Sequence, residues 1–406
     1  MSPTDANPFP VPVSSAGSLA TASDGNLSAK WDIRSDLNPS RLTIAMWDYA
    51  YLGRHRPGQS MENFAAVLSG LAERGYNCVR IDPFPQLPGY LDDPCRIYKF
   101  PDQGHPYIPW GWNDGFEMAV GETVIEFMEE VHRQGLRTIL SAWWLVGGMP
   151  GESVKVTSLE QGAELFVILL EKWKSRFGFA GLAYVDLCNE LPYFIHGFLD
   201  RARSEVNMNW GNGQPFTSEQ VGWLANEMNP ALATLQRAFP EVLFTMSMHG
   251  DARWLQVPVE CDCLDIHFYG SADQRWNVRT RFDDFSKTFF IDQSWHAEFS
   301  ERWRKSKPAW PCFRARQRGL MAAFASWSRQ RGMPLTTTEG WSAWYADRTP
   351  DYDYGPLLAW SEWTLEDALE YGFWGWTPHS FIQPQYGLLW DDLAWHQKHT
   401  ARFSNG

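Results

Sequence analysis

The sequence has no apolar run near the ~20 residues that a membrane-spanning helix needs. It also lacks any strong cluster of basic residues. Its 35 Lys and Arg are outnumbered by 48 Asp and Glu, for a formal net charge of -13. Phosphate backbones are bound through clustered cations, so nucleic acid and acidic polymers are disfavoured as partners. The densest basic stretch, Glu301-Arg302-Trp303-Arg304-Lys305, mixes signs as a solvated helix face does.

Cysteine is scarce, with six in 406 residues, at 78, 95, 188, 261, 263 and 312. No spacing fits a zinc site, since Cys261-Asp262-Cys263 leaves one residue between thiols. Cys78, Cys188 and Cys263 sit in or beside apolar runs and read as buried free thiols, which suits a reducing compartment. No single strand carries His-x-His or a carboxylate cluster, so neither a metal site nor a cofactor is expected. A Gly-rich phosphate loop is missing after the first strand, where "MWDYAYLGRHRPG" stands. That argues against a doubly wound nucleotide-binding sheet. The opening "MSPTDANPFPVPVSSAGSLATASDGN" has neither a basic n-region nor an apolar h-region. It reads as an irregular arm over residues 1–40 rather than a signal peptide, with a cytoplasmic location expected unless a leader has been removed.

Tryptophan, by contrast, is abundant. There are 23, beside 25 Phe and 14 Tyr, many in loop-like stretches such as "PYIPWGWND", "AWWLVGG" and "EGWSAWYAD". A flat apolar ring with a polar edge suits the C–H face of a sugar, and a carbohydrate is the expected partner. An aromatic-rich core is the plainer explanation of the same residues.

Eight short apolar runs recur along the chain, at 42–47, 77–81, 137–144, 182–187, 242–248, 264–269, 334–339 and 372–376. Each is nearly continuous in hydrophobicity, as expected of parallel strands buried on both faces. Helical patterns lie between most of them, at 60–74, 122–135, 158–176, 217–238, 313–331 and 356–370, with a last one from near Trp390. This alternation predicts an α/β fold, a (β/α)8 TIM barrel forming a single domain over residues 41–400. Long loops follow the second, fourth and sixth strands (82–120, 190–216 and 270–308) and would open onto the C-terminal face, where such barrels build their sites.

Functional side chains stand at the ends of these strands. The second offers Arg80 and Asp82, the third Trp143 and Trp144, the fourth Asn189-Glu190. The fifth offers His249 and Asp251, the sixth His267 and Tyr269, the seventh Glu339, the eighth Trp376. Strands four and seven lie across the mouth from each other, so Glu190 and Glu339 face one another. Two carboxyls flanking a glycosidic bond are the machinery of glycoside hydrolysis. Plainer roles stand beside these: Arg80 as an ion pair with Asp82 or Glu339, His267 as a core histidine, His249 and Asp251 as loop residues. Asp48 and Asp82 either meet sugar hydroxyls or cap strand ends.

In this arrangement the chain resembles the clan A (β/α)8 glycoside hydrolases, and within them the cellulase-like family five. The resemblance is carried by "NCVRID", "LCNELP", "DIHFYG", "TTTEGW" and "FWGWTP", in order from about residue 40 to about residue 395. It implies a retaining enzyme without cofactor, acting on a β-linked glycoside or oligosaccharide. Glu190 would be the acid/base, protonated at rest because burial and the second carboxylate raise its pKa. Glu339 would be the nucleophile, held charged by Arg80 and Tyr269. Asn189 would bind the sugar 2-hydroxyl and His267 would orient Glu190 or the sugar. Trp376 would floor the subsite, Trp144 would offer a second stacking face, and His249 would touch substrate. The chain departs from the family where the third strand ends in "SAWWLVGG" without a histidine, and in the loop with His105 and Trp110-Gly111-Trp112. A carbohydrate-binding barrel without turnover is the alternative these departures leave open, and a barrel enzyme acting on a non-sugar substrate is the third reading.

Overall fold

The computed structural model describes residues 40–102, 111–112, 114–145, 147–270, 278–279, 281, 295–341, 355–378 and 382–406. The arm read for residues 1–40 lies outside them except for Ser40, as do His105, Trp110 and most of the loop after the sixth strand.

Eight parallel strands close into a barrel. β1 (Leu42–Asp48), β2 (Cys78–Ile81), β3 (Arg137–Ser141) and β4 (Leu182–Asp186) pair in sequence order. β5 comes in two pieces: Phe244–Thr245 pairs with β4, and Met248–His249 pairs with β6 (Leu264–Tyr269). β7 is also split, into Leu335–Thr337 and Gly340–Trp341, both paired with β6. β8 (Gly375–Trp376) joins β7 to β1 through Leu42↔Gly375 and Thr43↔Trp376, which closes the ring.

The apolar runs thus became strands, but shorter ones. The third ends at Ser141 rather than Trp144, and the eighth begins at Gly375 rather than Gly372. The helices form as their caps dictate. Ser158 accepts from the Gln161 N–H to start Leu159–Phe177, and Thr217 with Gln220 forms a reciprocal capping box ahead of Ser218–Ala238. The loop after β2 holds an antiparallel hairpin, Ile97–Phe100 with Phe116–Ala119, that hydrophobic periodicity did not mark.

The barrel interior is layered, as side-chain alternation along each strand requires. Its floor is apolar: Leu42, Ile44, Cys78, Ile139, Leu243 and Cys263, with Tyr184 and Trp374. All six cysteines are free, and Cys78, Cys188 and Cys263 are buried as read. Above the floor the filling turns polar. Tyr184 donates to Asp265 Oδ2 at 2.9 Å, and Ser141 donates to Asp186 Oδ2 at 2.7 Å.

Candidate active site

The breaks in β5 and β7 build the site. A split strand leaves backbone N–H groups without ladder partners, and a buried one must find another acceptor. The Ser247 N–H finds Asp186 Oδ1 at 2.7 Å, and the Thr338 N–H finds Asp265 Oδ1 at 3.1 Å. Asp82 does the same above β2, accepting from the Phe84 N–H at 2.7 Å and the Trp143 N–H at 2.9 Å. Asp82 is thus a structural anchor, and burial pushes it up to about 7 despite those two N–H donors.

Arg80 fills the middle of the mouth and is fully buried. Its Nε lies 3.1 Å from Asp48 Oδ1 and its Nη2 lies 2.7 Å from Glu339 Oε1. Nη1 donates to Thr338 Oγ1 at 2.7 Å, and Nη2 also donates to Asn189 Oδ1. The ion pair expected with Asp82 or Glu339 is therefore made with Glu339, and with Asp48 rather than Asp82. By holding Asn189 Oδ1, Arg80 also fixes the amide's orientation. Asn189 Nδ2 remains a buried donor without a hydrogen-bond partner among the described residues.

Glu339 is completed by Tyr269, whose hydroxyl donates to its Oε2. Glu190 sits across from it on a backbone with φ of +47°, in the left-handed region that non-glycine residues seldom adopt. Two bonds hold it there: its N–H donates to Ser247 Oγ at 2.9 Å, and its carbonyl accepts from the Tyr193 N–H at 3.0 Å. One oxygen of Glu190 and one of Glu339 lie within 4.8 Å of one another.

Two imidazoles flank Glu190. His267 Nδ1 lies 3.0 Å from its Oε1, and His249 Nε2 lies 2.9 Å from its Oε2. Burial raises the Glu190 carboxyl, but His249 first and then His267 outweigh it and hold the group well below the usual carboxylate range. The expectation of a raised pKa is therefore wrong for the free protein. It counted the second carboxylate and missed the two histidines. Burial lowers His267 as well, yet Glu339 and Glu190 raise it to about 9. The hydrogen bonds of Thr338 suit a charged ring, while Arg80 Nη1 stands 3.5 Å from His267 Nε2. Thr338 Oγ1 donates to Asp265 Oδ2 at 2.8 Å, which leaves its lone pairs for Arg80 Nη1 and for His267 Nε2 at 3.1 Å. The site's proton at neutral pH thus rests on His267 rather than on Glu190.

This proton has a consequence for stability. His267 is raised above its unfolded value of 6.5, so its contribution is complete below that pH and is lost as pH rises through about 9. Asp82, raised to about 7, acts in the same direction from lower pH. The His267 contribution is on the order of 3 kcal/mol. Melting curves are expected to show Tm falling between pH 6 and pH 9.5, with a smaller fall in His267→Gln. A Tm that rises over this range contradicts the pairing.

Glu190, His267 and Glu339 also have the mutual spacing of metal ligands. Their chemistry does not fit a cation. Arg80 already places its charge 2.7 Å from Glu339 Oε1, and the His267 nitrogen that would ligate carries the proton shared with Glu190.

A family model described as sugar-binding cellulase-like matches residues 44–404. The chain belongs to that cellulase-like family. A candidate glycoside hydrolase of known structure from Parabacteroides distasonis ATCC 8503 is 25% identical, covering 90% of this chain and 94% of its own at a TM-score of 0.74. Endoglucanase Cel5A from Thermotoga maritima covers 92% of this chain and 99% of its own at 13% identity and a TM-score of 0.50, a likeness of fold alone. No curated protein matches the sequence. The clan A (β/α)8 glycoside hydrolase resemblance read from five motifs thus holds along the whole barrel.

Within this cellulase-like barrel, Arg80, Asn189, Glu190, His249, His267, Tyr269 and Glu339 come together at one mouth. Two expected residues do not. Trp376 is fully buried and packs on Phe403 of the C-terminal helix, at 5.5 Å between ring centroids. Alternation along β8 turns Gly375 toward Ile44 and Thr336 in the barrel and Trp376 outward, so it cannot floor a subsite. Trp144 is also buried in the outer layer, donating to the Leu187 carbonyl at 2.8 Å and standing edge-on to Phe166. Its neighbour Trp143 packs instead on Tyr49 and on Phe194 of the loop after Glu190. The sequence reading missed Asp265, Thr338 and Ser247. For Asp265 a signal existed, because Asp265, His267 and Tyr269 alternate along β6 and so share a face.

Proposed function

We propose that this protein is a retaining glycoside hydrolase that cleaves a β-linked glycoside or oligosaccharide by double displacement. Glu339 is the nucleophile and Glu190 the acid/base. The observation that carries the reading is the short gap, with one oxygen of each carboxylate within 4.8 Å of the other. Retaining pairs stand roughly 5–5.5 Å apart, and inverting pairs leave roughly 6.5–9.5 Å for a water.

With substrate bound, Glu190 takes up a proton from solvent on Oε2 while Oε1 keeps its 3.0 Å contact with His267 Nδ1, and it passes that proton to the glycosidic oxygen as the bond from that oxygen to C1 breaks. Glu339 takes C1 and forms a glycosyl ester. Arg80 and Tyr269, bonded to its two oxygens, aim it. The unpartnered Asn189 Nδ2 is a donor for the sugar 2-hydroxyl, a contact that strengthens in the transition state. In the second step Glu190 removes a proton from water, the water oxygen attacks C1, and Glu339 leaves.

One observation favours the rival reading, a sugar-binding barrel without turnover. Glu190 is held ionised by two histidines in the free protein, and an ionised carboxylate donates no proton. Glu190→Gln separates the readings. A proton donor matters for a poor leaving group and little for a good one. The variant is expected to lose about 1,000-fold in kcat/KM on a disaccharide but less than about tenfold on a dinitrophenyl glycoside. Equal losses on the two substrates would remove Glu190 from the role. A parent protein that binds sugars and turns over none would establish the rival.

A further inference from the structure

We propose that His249 and Tyr193 form the leaving-group side of the site. His249 holds the outer oxygen of Glu190 in the free protein, and the leaving-group oxygen of a bound glycoside takes its place. The inference rests on the reading of Glu190 as acid/base and goes beyond it to the residues that recognise the departing sugar.

The two oxygens of Glu190 face different neighbours. Oε1 meets His267, whose Nδ1 is also 3.7 Å from Glu339 Oε1, so this oxygen lies on the nucleophile's side. Oε2 meets His249 Nε2 at 2.9 Å. In a double displacement the leaving group departs from the face opposite the nucleophile, which is the side that His249 occupies. His249 is also the histidine able to yield. Its side chain is 32% exposed, whereas that of His267 is 0% exposed. Its backbone is fixed, because Met248 and His249 pair with Ile266 and His267 and the Gly250 N–H donates to the His267 carbonyl at 2.7 Å. A change of rotamer therefore frees Oε2 without moving the barrel.

Tyr193 supplies the platform. It is 47% exposed, one of four large hydrophobic side chains exposed to solvent among the described residues. Its ring stands edge-on to His249 at 5.1 Å, and its N–H donates to the Glu190 carbonyl at 3.0 Å, so it is tied to the acid/base itself. An exposed ring beside a carboxylate matches a sugar, with an apolar C–H face and hydroxyls at its edge. Among the described residues, the charged or titratable groups around His249 are Glu190, its register partner His267, Tyr193, Tyr269 at 5.7 Å on β6, and the Asp251–Arg253 pair that follows on its own loop.

The test exploits a leaving group with no sugar in it. Cellobiose and β-glucosyl fluoride share a glycone but only cellobiose occupies the leaving-group side. Mannobiose and mannosyl fluoride form the parallel pair. The quantity read is kcat/KM, which reports the first bond cleavage and not the later hydrolysis of the ester. His249→Ala and Tyr193→Ala are each expected to lose at least about tenfold more on the disaccharide than on the fluoride. Equal losses on both members of a pair, or no loss on either, overturn the proposal. Tyr193 is exposed, so its variant carries the test even where the His249 variant fails to fold. If the parent turns over no glycoside, or Glu339→Ala keeps full turnover, the acid/base reading fails first and takes this proposal with it.

Discussion

Glu339→Ala is expected to hydrolyse glycosides at least about 10,000-fold more slowly than the parent, while still binding sugar. The side chain is nearly buried, and both its oxygens are engaged, one by Arg80 Nη2 at 2.7 Å and the other by the Tyr269 hydroxyl. Truncation removes the attacking atom and leaves Glu190, Asn189 and His267 in place to grip the substrate. It also opens a small gap beside a guanidinium, which is a suitable seat for an added anion. Azide or formate is therefore expected to restore part of the rate on an activated aryl glycoside, the anion attacking C1 in place of the carboxylate. Steady-state kinetics with and without azide check this. Turnover close to the parent's without any added anion would show that Glu339 is not the nucleophile.

Arg80→Met has the largest expected effect on stability. Arg80 is fully buried between Asp48 and Glu339, with Thr338 and Asn189 on its remaining nitrogens. Methionine fits much of the same volume but leaves two buried carboxylates without a counter-charge. Breaking a buried pair from one side costs about 3–5 kcal/mol, which corresponds to a fall in Tm of roughly 5 °C in a chain of this length. Activity is expected to vanish as well, because Asn189 Oδ1 loses the donor that fixes its amide and Glu339 loses the one that aims it. Arg80→Lys separates the two effects. A single ammonium restores charge but cannot reach all these partners, so stability is expected to return more than activity does. A Tm for Arg80→Met within about 1 °C of the parent's would contradict this account of the mouth.

Much of the barrel was legible in the sequence because each strand is buried on both faces and reads as an unbroken apolar run. The lengths were less legible, and for a reason. The run at 137–144 continues past its strand into a buried loop, where Trp143 and Trp144 pack as core, and the run at 372–376 begins ahead of its strand. The hairpin after β2 was missed because its four-residue strands are too short to show alternation. In the site, Glu190, Glu339, Arg80, His267 and Tyr269 were visible as polar residues ending apolar runs. What could not be read was direction. Trp376 follows an inward Gly375 and so points outward, a one-residue matter of register that composition does not encode. The protonation pattern was hidden for a different reason. It depends on His249 and His267 reaching Glu190 from two other strands, and a strand-by-strand reading has no way to sum those charges.

The central claim is a covalent bond between the sugar and Glu339, and it can be observed directly. A fluorosugar with an activated leaving group forms the glycosyl ester but releases it slowly, because fluorine beside C1 disfavours the oxocarbenium-like transition state. Intact-protein mass spectrometry followed by peptide mapping then reads the product. The account predicts a single adduct of one fluorosugar, on the peptide carrying Thr338-Glu339-Gly340, absent in Glu339→Ala. An adduct on another residue, or cleavage of the same glycone's natural glycoside with inversion and no adduct at all, would contradict it.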